Sequence, residues 1–106
     1  MNVTDEPALE ELDLGVVLSA LADRNRRLVV AELAADVSDA ERTCNSFGLP
    51  VSKQTMTHHF KTLRMAGLIR DVNYGNRRGI SLRRGDIEQR FPGLLALLAA
   101  EASAAK

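Results

Sequence analysis

The stretch SKQTMTHHFKTLRMAGLIR, residues 52–70, gathers the residue types in this chain that are best suited to binding a polyanion. It holds six lysine, arginine or histidine side chains and no acid, although the formal net charge of the whole chain is zero. If the stretch is a helix, one side carries hydrogen-bonding groups without negative charge: Gln54, Thr57, His58 and Lys61. Such side chains can reach base edges and phosphates when a helix lies in a DNA major groove.

A helix that ends near Ala66 is predicted to position these groups. The Ser52 hydroxyl can accept the free amide hydrogens of the first turn, and Gly67 can end the helix. The apolar positions are spaced four and three apart, which predicts a buried stripe with His59 at its edge: Met56, Phe60 and Leu63.

Two amphipathic helices are predicted upstream. The first follows from an apolar stripe at i, i+3, i+4 and i+7, formed by Leu14, Val17, Leu18 and Leu21. Asp23 can cap the second helix, which should end near Asp36. Its apolar face is predicted to consist of Val30, Leu33 and Val37.

The segment before the cationic stretch is predicted to be a short third helix. It would begin at Ser38 or Asp39 and be stopped by Gly48 and Pro50. A short helix, a turn and a longer helix are the layout of a helix-turn-helix, here over residues 38–66.

A β-hairpin, or wing, is predicted over residues 68–83. Two strand-like runs flank Gly75-Asn76, a dipeptide that tolerates the positive φ of a tight turn, and the return strand has an apolar face at Ile80 and Leu82. Arg77 and Arg78 at its tip could contact phosphates or enter a narrow minor groove. Residues 86–104 follow as a C-terminal helical segment, with a turn capped by Asp86 and a leucine-rich helix opened by Pro92.

Length and composition are typical of one folded domain, residues 1–106, with residues 1–7 expected to be flexible. The N-terminus is acidic where a secretory signal is basic, and the apolar run 93–100 is too short to span a bilayer. A single cysteine cannot form an internal disulfide. These features predict a cytoplasmic protein without membrane contact.

Charge is segregated along the chain. Residues 1–41 have a net charge of −7, whereas residues 42–85 carry nine bases against one acid, Asp71, for a net charge of +8. This asymmetry favours a localised nucleic-acid contact. The sequence does not predict an enzyme, because it lacks a nucleophile–base–acid set, a glycine-rich phosphate loop and a paired acid motif.

Three segments resemble the ArsR/SmtB-type winged helix-turn-helix transcriptional regulators. LADRNRRLVVAEL is similar to their entry segment, VSKQTMTHHFKTLRMAGLI to their recognition helix, and GNRRGISL to their wing, so that the resemblance covers about residues 14–83. Two departures are visible: Arg24 stands where the family usually has proline, and the chain lacks a Cys-x-Cys pair, since Cys44 is followed by Asn45 and Ser46.

The resemblance implies a mainly α fold with a small β-hairpin, in the order α-α-α-α-β-β-α, that dimerises through its first and last helices. It also implies a transcriptional repressor that binds double-stranded DNA at an operator overlapping a promoter. Two-fold symmetry would make that operator palindromic, with half-sites about ten base pairs apart or a multiple of that spacing.

The side chains expected to contact DNA fall into two groups. Bases are expected to be read by Gln54, Thr57 and His58, and phosphates to be held by Lys53, Thr55, Lys61, Arg77 and Arg78. Each contact has a structural alternative: His58 could be an ordinary exposed residue, and His59 could be a hydrogen-bonded histidine of the core.

Cys44 is the possible sensor residue, although a lone cysteine is more often a small buried side chain. A nearby Arg42 would lower the thiol pKa if Cys44 were exposed. No cofactor is predicted, but a divalent transition metal held by Cys44 with Asp39, Glu41 or a histidine of the other subunit stays an alternative. The other alternative function is a winged-helix module that binds a protein.

Overall fold

The computed structural model describes residues 6–104. In chain order they form α1 (Leu14–Ala22), α2 (Arg24–Ala35), α3 (Lys53–Met65), β1 (Ile69–Asn73), β2 (Arg78–Leu82), α4 (Arg84–Arg90) and α5 (Leu94–Ala104). Single turns of 3-10 helix lie at Leu9–Glu11 and Cys44–Phe47. The predicted architecture, mainly α with one small hairpin, is confirmed.

Two predicted helix caps are present. The Asp23 carboxylate accepts the backbone N–H groups of Asn25 and Arg26 at 2.8 and 3.1 Å and so begins α2. Ser52 Oγ accepts the Thr55 N–H at 3.1 Å and begins α3. Both oxygens satisfy amides that have no partner within the helix, which is why each helix starts at the following residue.

The hydrophobic core lies between α2, α3, the hairpin and α5, with α2 packed along α5. Its most enclosed large side chains, each less than 2% exposed, include Leu63, Leu68, Ile69, Ile80 and Ile87. From α5, Leu95 and Leu98 enter this core while Leu97 is 72% exposed. The last helix therefore uses only part of its apolar surface within one chain.

The predicted third helix is wrong over most of its length. Asp36 accepts the amide and hydroxyl hydrogens of Ser38 in a tight turn, and Asp39 has a φ of 54°, which a right-handed helix does not allow. Arg42 then pairs with Ile80 of β2 through two backbone hydrogen bonds of 2.9 and 2.6 Å. Because this backbone is engaged with the sheet, only Cys44–Phe47 forms a helical turn before α3.

Two further predictions need correction. Val37 is 91% exposed and lies beyond the end of α2, so it does not share the buried face of Val30 and Leu33. Asp86 lies inside the first turn of α4 instead of capping it, since Arg83 holds the N-cap position. Its carboxylate accepts two N–H groups of Arg83 at 3.0 and 2.9 Å.

The hairpin has the predicted position and turn. β1 and β2 pair antiparallel, from Ile69 opposite Leu82 to Asn73 opposite Arg78, and Gly75 in the turn has a φ of 93°. Gly67, with a φ of 85°, ends α3 as predicted. A side chain there would also collide with Leu12, since a Cβ would lie 2.2 Å from the Leu12 Cδ2.

Residues 1–7 were expected to be flexible, and of these only residues 6 and 7 are among the described residues. Within them, the Pro7 carbonyl accepts a hydrogen bond of 2.7 Å from the Arg83 guanidinium. Leu12 is 2% exposed and packs against Gly67. The segment before α1 is thus attached to the end of α3 and to the beginning of α4.

Replacing Phe60 with alanine should lower the free energy of unfolding by about 3–5 kcal/mol. The Phe60 side chain is 2% exposed and its ring centroid lies 5.7 Å from that of Phe47, so truncation leaves a cavity in the core. Urea denaturation followed by circular dichroism measures the loss. Met65→Ala on the same helix is the control, since Met65 is 51% exposed and should change stability by less than about 0.5 kcal/mol. Equal losses in the two variants would contradict the packing of α3.

Candidate nucleic-acid interface

The outer face of α3 carries all six site residues that the sequence predicted on this helix. They are exposed to solvent: Lys53, Gln54, Thr55, Thr57, His58 and Lys61. The opposite face of α3 is buried and carries His59, Phe60 and Leu63. Because these buried residues hold α3 against the core, the polar side chains on its other face have a fixed position on the surface.

Two of these hydroxyl groups already make local hydrogen bonds. Thr57 Oγ1 donates to the Lys53 carbonyl at 3.1 Å, and Thr55 Oγ1 accepts from Ser52 Oγ at 3.0 Å. The Thr57 oxygen therefore has lone pairs free to accept, whereas its hydrogen is engaged within the helix. Thr55 belongs to the capping turn as well as to the exposed surface.

A groove of about 580 Å³ lies between α3 and the hairpin. Both elements contribute predicted site residues to its walls: Lys53, Thr57, Lys61, Arg77 and Arg78. Arg64 of α3 lines the same groove and was not among the predicted residues. Gln54, Thr55 and His58 lie outside the lining, on the outward side of α3. The fold thus brings cations of the helix and of the hairpin to one concave surface.

The two arginines of the hairpin have carboxylate partners within the chain. Arg78 Nε lies 2.9 Å from Asp71 Oδ1, and the Asp71 side chain is only 5% exposed. This hydrogen bond is the main reason why the pKa of Arg78 is raised above its ordinary value. Arg77 lies over the Tyr74 ring, with its Cζ 4.3 Å from the ring centroid, and 3.5 Å from the Glu41 carboxylate.

Sequence reasoning missed these acid partners for two different reasons. Asp71 lies on β1 near Arg78 on β2, so the hairpin register could have revealed that pair. Glu41 lies 36 residues from Arg77 and reaches it only because Arg42 pairs with β2. No local pattern in the sequence signals the second pair.

His59 belongs to the core and does not form part of the groove. Its Nδ1 lies 3.2 Å from the Arg26 guanidinium, and its Nε2 lies 3.9 Å from Asp23 Oδ1. Since arginine can only donate, Nδ1 must accept and the ring is neutral. Burial lowers the pKa of His59 below its ordinary value, and the Arg26 charge acts in the same direction against the opposing effect of Asp23.

Cys44 is half-buried in the wall of the groove. Burial and the nearby Asp71 carboxylate raise the pKa of the thiol above its ordinary value, and this outweighs the lowering by Arg78. Arg42 is occupied elsewhere, since it donates to Ser46 and Glu32 and its guanidinium lies over the Phe47 ring. The surroundings of Cys44 therefore favour the protonated thiol, which is the less reactive form.

Residues 6–104 contain neither a metal-binding cluster nor a membrane-spanning helix. No group of three or more histidine, cysteine, aspartate or glutamate side chains in this range could hold a metal ion. Within the same range, no helix is long and apolar enough to cross a membrane.

Two proteins illustrate the similarity of this chain to known transcriptional regulators. One is an uncharacterized HTH-type transcriptional regulator, YceK, of Bacillus subtilis (strain 168), which is 33% identical over 84 residues, or 77% of this chain and 82% of that protein. The other is a solved structure, an ArsR-like transcriptional regulator from Rhodococcus sp. RHA1, with a TM-score of 0.57 and 25% sequence identity. That match covers 86% of this chain and 79% of the other. No protein-family profile matches the sequence.

The neutral His59 predicts a loss of stability in mild acid. Because its pKa is lowered in the folded state, the unfolded chain takes up a proton first as the pH falls below about 6.5, whereas the folded chain does not. The free energy of unfolding should therefore be highest above that pH and should fall until the folded-state pKa is passed. Urea titrations at several pH values measure the slope.

The adjacent histidine provides the control for this prediction. His59→Gln should remove most of the slope near pH 6, while His58→Gln should leave it intact because His58 is exposed. A slope that is lost with His58 and kept with His59 would contradict the arrangement.

Proposed function

Since the chain belongs to the ArsR-type winged helix-turn-helix transcriptional regulators, we propose that it is a sequence-specific, homodimeric repressor that binds double-stranded DNA at a palindromic operator in the cytoplasm. The observation that supports this proposal best is the groove between α3 and the hairpin, whose walls carry Lys53, Lys61, Arg64, Arg77 and Arg78. A concave cationic surface beside an exposed polar helix suits a nucleic-acid duplex.

Within this proposal, α3 enters the major groove and reads sequence. Gln54, Thr57 and His58 contact base edges, because they lie on the exposed side of α3, and Gln54 and His58 do not line the groove beside the hairpin. Thr57 takes part as an acceptor, since its hydrogen is bound to the Lys53 carbonyl.

Phosphates are contacted from both walls of the groove. The helix contributes Lys53, Thr55 and Lys61, and the wing contributes Arg77 and Arg78. The two wing arginines begin from ion pairs with Glu41 and Asp71, so their contacts with phosphate must compete with these carboxylates.

The proposed homodimer joins α1 and α5 of two chains. On α1, Leu14 and Leu18 are 48% and 51% exposed although they share a stripe with the buried Val17 and Leu21. On α5, Leu97 is 72% exposed. Large apolar side chains exposed on two helices are suited to a protein–protein contact. Repression is proposed by resemblance to the family.

The alternative function, a protein-binding module, differs in its response to salt. Five cations line the groove together with polar side chains, and Met56 and Phe60 are its large apolar side chains. DNA binding should weaken steeply between about 50 and 200 mM salt, whereas an apolar protein interface should change little.

Alanine substitutions should separate base reading from phosphate contact. Gln54→Ala should cost about 1–3 kcal/mol of binding free energy on the operator and relax the preference at one base pair. Lys61→Ala should weaken operator and scrambled duplexes alike and lower the salt slope by about one. Fluorescence anisotropy with upstream promoter DNA and a scrambled duplex, at two salt concentrations, measures both effects. Equal losses on the two duplexes for Gln54→Ala would contradict its assignment to base reading.

A charge placed on the exposed face of α5 should dissociate the proposed dimer. Leu97→Glu should shift the sedimentation coefficient from dimer to monomer at micromolar concentration and weaken operator binding, because two recognition helices would no longer be linked. The exposed Ser103→Glu on the same helix is the charge-matched control. A wild-type chain that sediments as a monomer at this concentration would contradict the dimer itself.

A further inference from the structure

Glu41 is an acid that the fold carries onto the cationic wing. The backbone of the next residue, Arg42, donates to the Ile80 carbonyl at 2.9 Å and accepts from the Ile80 N–H at 2.6 Å. This single bridge attaches the segment before the 3-10 turn to the edge of β2. The side chain of Glu41 is therefore held across the hairpin and not left on a free loop.

The Glu41 carboxylate packs against the hairpin at Gly79. This glycine is buried, and a Cβ at its position would lie 2.2 Å from the Glu41 Cδ and 2.4 Å from Oε1. Since real Cβ atoms do not approach so closely, a side chain at position 79 would displace the Glu41 carboxylate from the place it occupies over this glycine. The Glu41 side chain is thus packed on the sheet itself.

Two side chains at the tip of the wing, Tyr74 and Arg77, bind the Glu41 carboxylate. The Tyr74 hydroxyl donates to Oε2 at 2.9 Å, and Arg77 Nη1 lies 3.5 Å from Oε1. The Arg77 guanidinium also lies over the Tyr74 ring, which completes a three-membered cluster. The Arg77 side chain is 51% exposed, and ion pairs with that much solvent access are weak and exchange readily.

The second wing arginine is held differently. Arg78 contacts Asp71 at 2.9 Å, and the Asp71 side chain is 5% exposed. Moving Arg78 toward DNA would take a charge partner from a nearly buried carboxylate, which is unfavourable. Arg77 is therefore the wing cation that exchanges its carboxylate partner more readily than Arg78 does.

We propose that Glu41 limits the affinity of this protein for DNA by holding Arg77 in competition with a DNA phosphate. The proposal rests on the DNA-binding function proposed above. With Arg77 bound to Glu41, the wing tip has no net charge to offer a phosphate, and the carboxylate repels the DNA backbone. Affinity from phosphate contacts does not depend on sequence, so the restraint acts on all DNA while base reading by α3 is unaffected.

The test compares Glu41→Gln with the wild-type chain on an upstream promoter duplex and a scrambled duplex. Glutamine keeps an oxygen that can accept the Tyr74 hydrogen bond but removes the charge that holds Arg77. Binding should become about five- to tenfold tighter on both duplexes near 0.1 M salt, and the salt slope should steepen by about one, as expected for one more phosphate contact. In the Glu41→Gln background, Arg77→Ala should abolish this gain.

Glu88→Gln is the matched control, because Glu88 is exposed on α4 and does not line the groove. It removes the same charge from the chain and should leave the salt slope unchanged. An equal gain in Glu88→Gln would overturn the proposal in favour of a general charge effect. Unchanged or weaker binding in Glu41→Gln, with a wild-type chain that binds DNA, would also overturn it. A wild-type chain that binds neither duplex would overturn the DNA-binding function and this inference with it.

A second measurement needs no DNA. Tyr74 is the single tyrosine of the chain and tryptophan is absent, so the near-ultraviolet absorbance of phenolate reports on Tyr74 alone. The hydrogen bond to Glu41 raises the pKa of Tyr74, and the negative charge of Glu41 adds to this effect. Because Glu41→Gln keeps an acceptor but removes the charge, it should lower the pKa of Tyr74. Glu88→Gln should not change it. An unchanged Tyr74 pKa in Glu41→Gln would show that the cluster does not form in solution and would overturn the proposal.

Discussion

The burial of one face of α3 is the constraint on which the functional surface depends. Phe60 and Leu63 are 2% and 0% exposed, and His59 beside them is held by Arg26 of α2. In a helix with 3.6 residues per turn, fixing these positions also fixes the direction of every other side chain. The polar groups of α3 face solvent because Phe60 and Leu63 fix the opposite side of the helix in the core.

Coupling between α3 and the wing follows from the segment that precedes the helix. Arg42 pairs with β2, and five residues later Phe47 packs against Phe60 of α3. A longer third helix would have used the same backbone groups internally and left β2 with one neighbour. The short 3-10 turn therefore lets residues 41–47 connect the two walls of the groove, so that helix and wing keep one relative position.

Prediction from sequence succeeded where structure is decided locally. The Ser52 cap, the stop at Gly67 and the turn at Gly75 each depend on one residue and its neighbours along the chain. It failed where partners are distant: the pairing of Arg42 with Ile80 outweighed the local helical pattern, and Glu41 reached Arg77 across 36 residues. The exposure of the helix residues could be predicted, whereas the electrostatic state of the wing could not, because it depends on tertiary contacts.

The distribution of acids explains how a chain of zero net charge can present a cationic surface. Sequence-distant acids are used as internal partners: Asp39 binds Arg84, Glu32 binds Arg42 and Glu101 binds Arg27. These pairs lie on the body of the fold and neutralise arginines that serve as structural links, such as Arg84, which also donates to the carbonyls at the end of α2. The cations of α3 then remain on the outer surface, and the wing is the place where internal acids and an external polyanion would meet. The hairpin is therefore where two cations of the groove, Arg77 and Arg78, have acid partners within the chain.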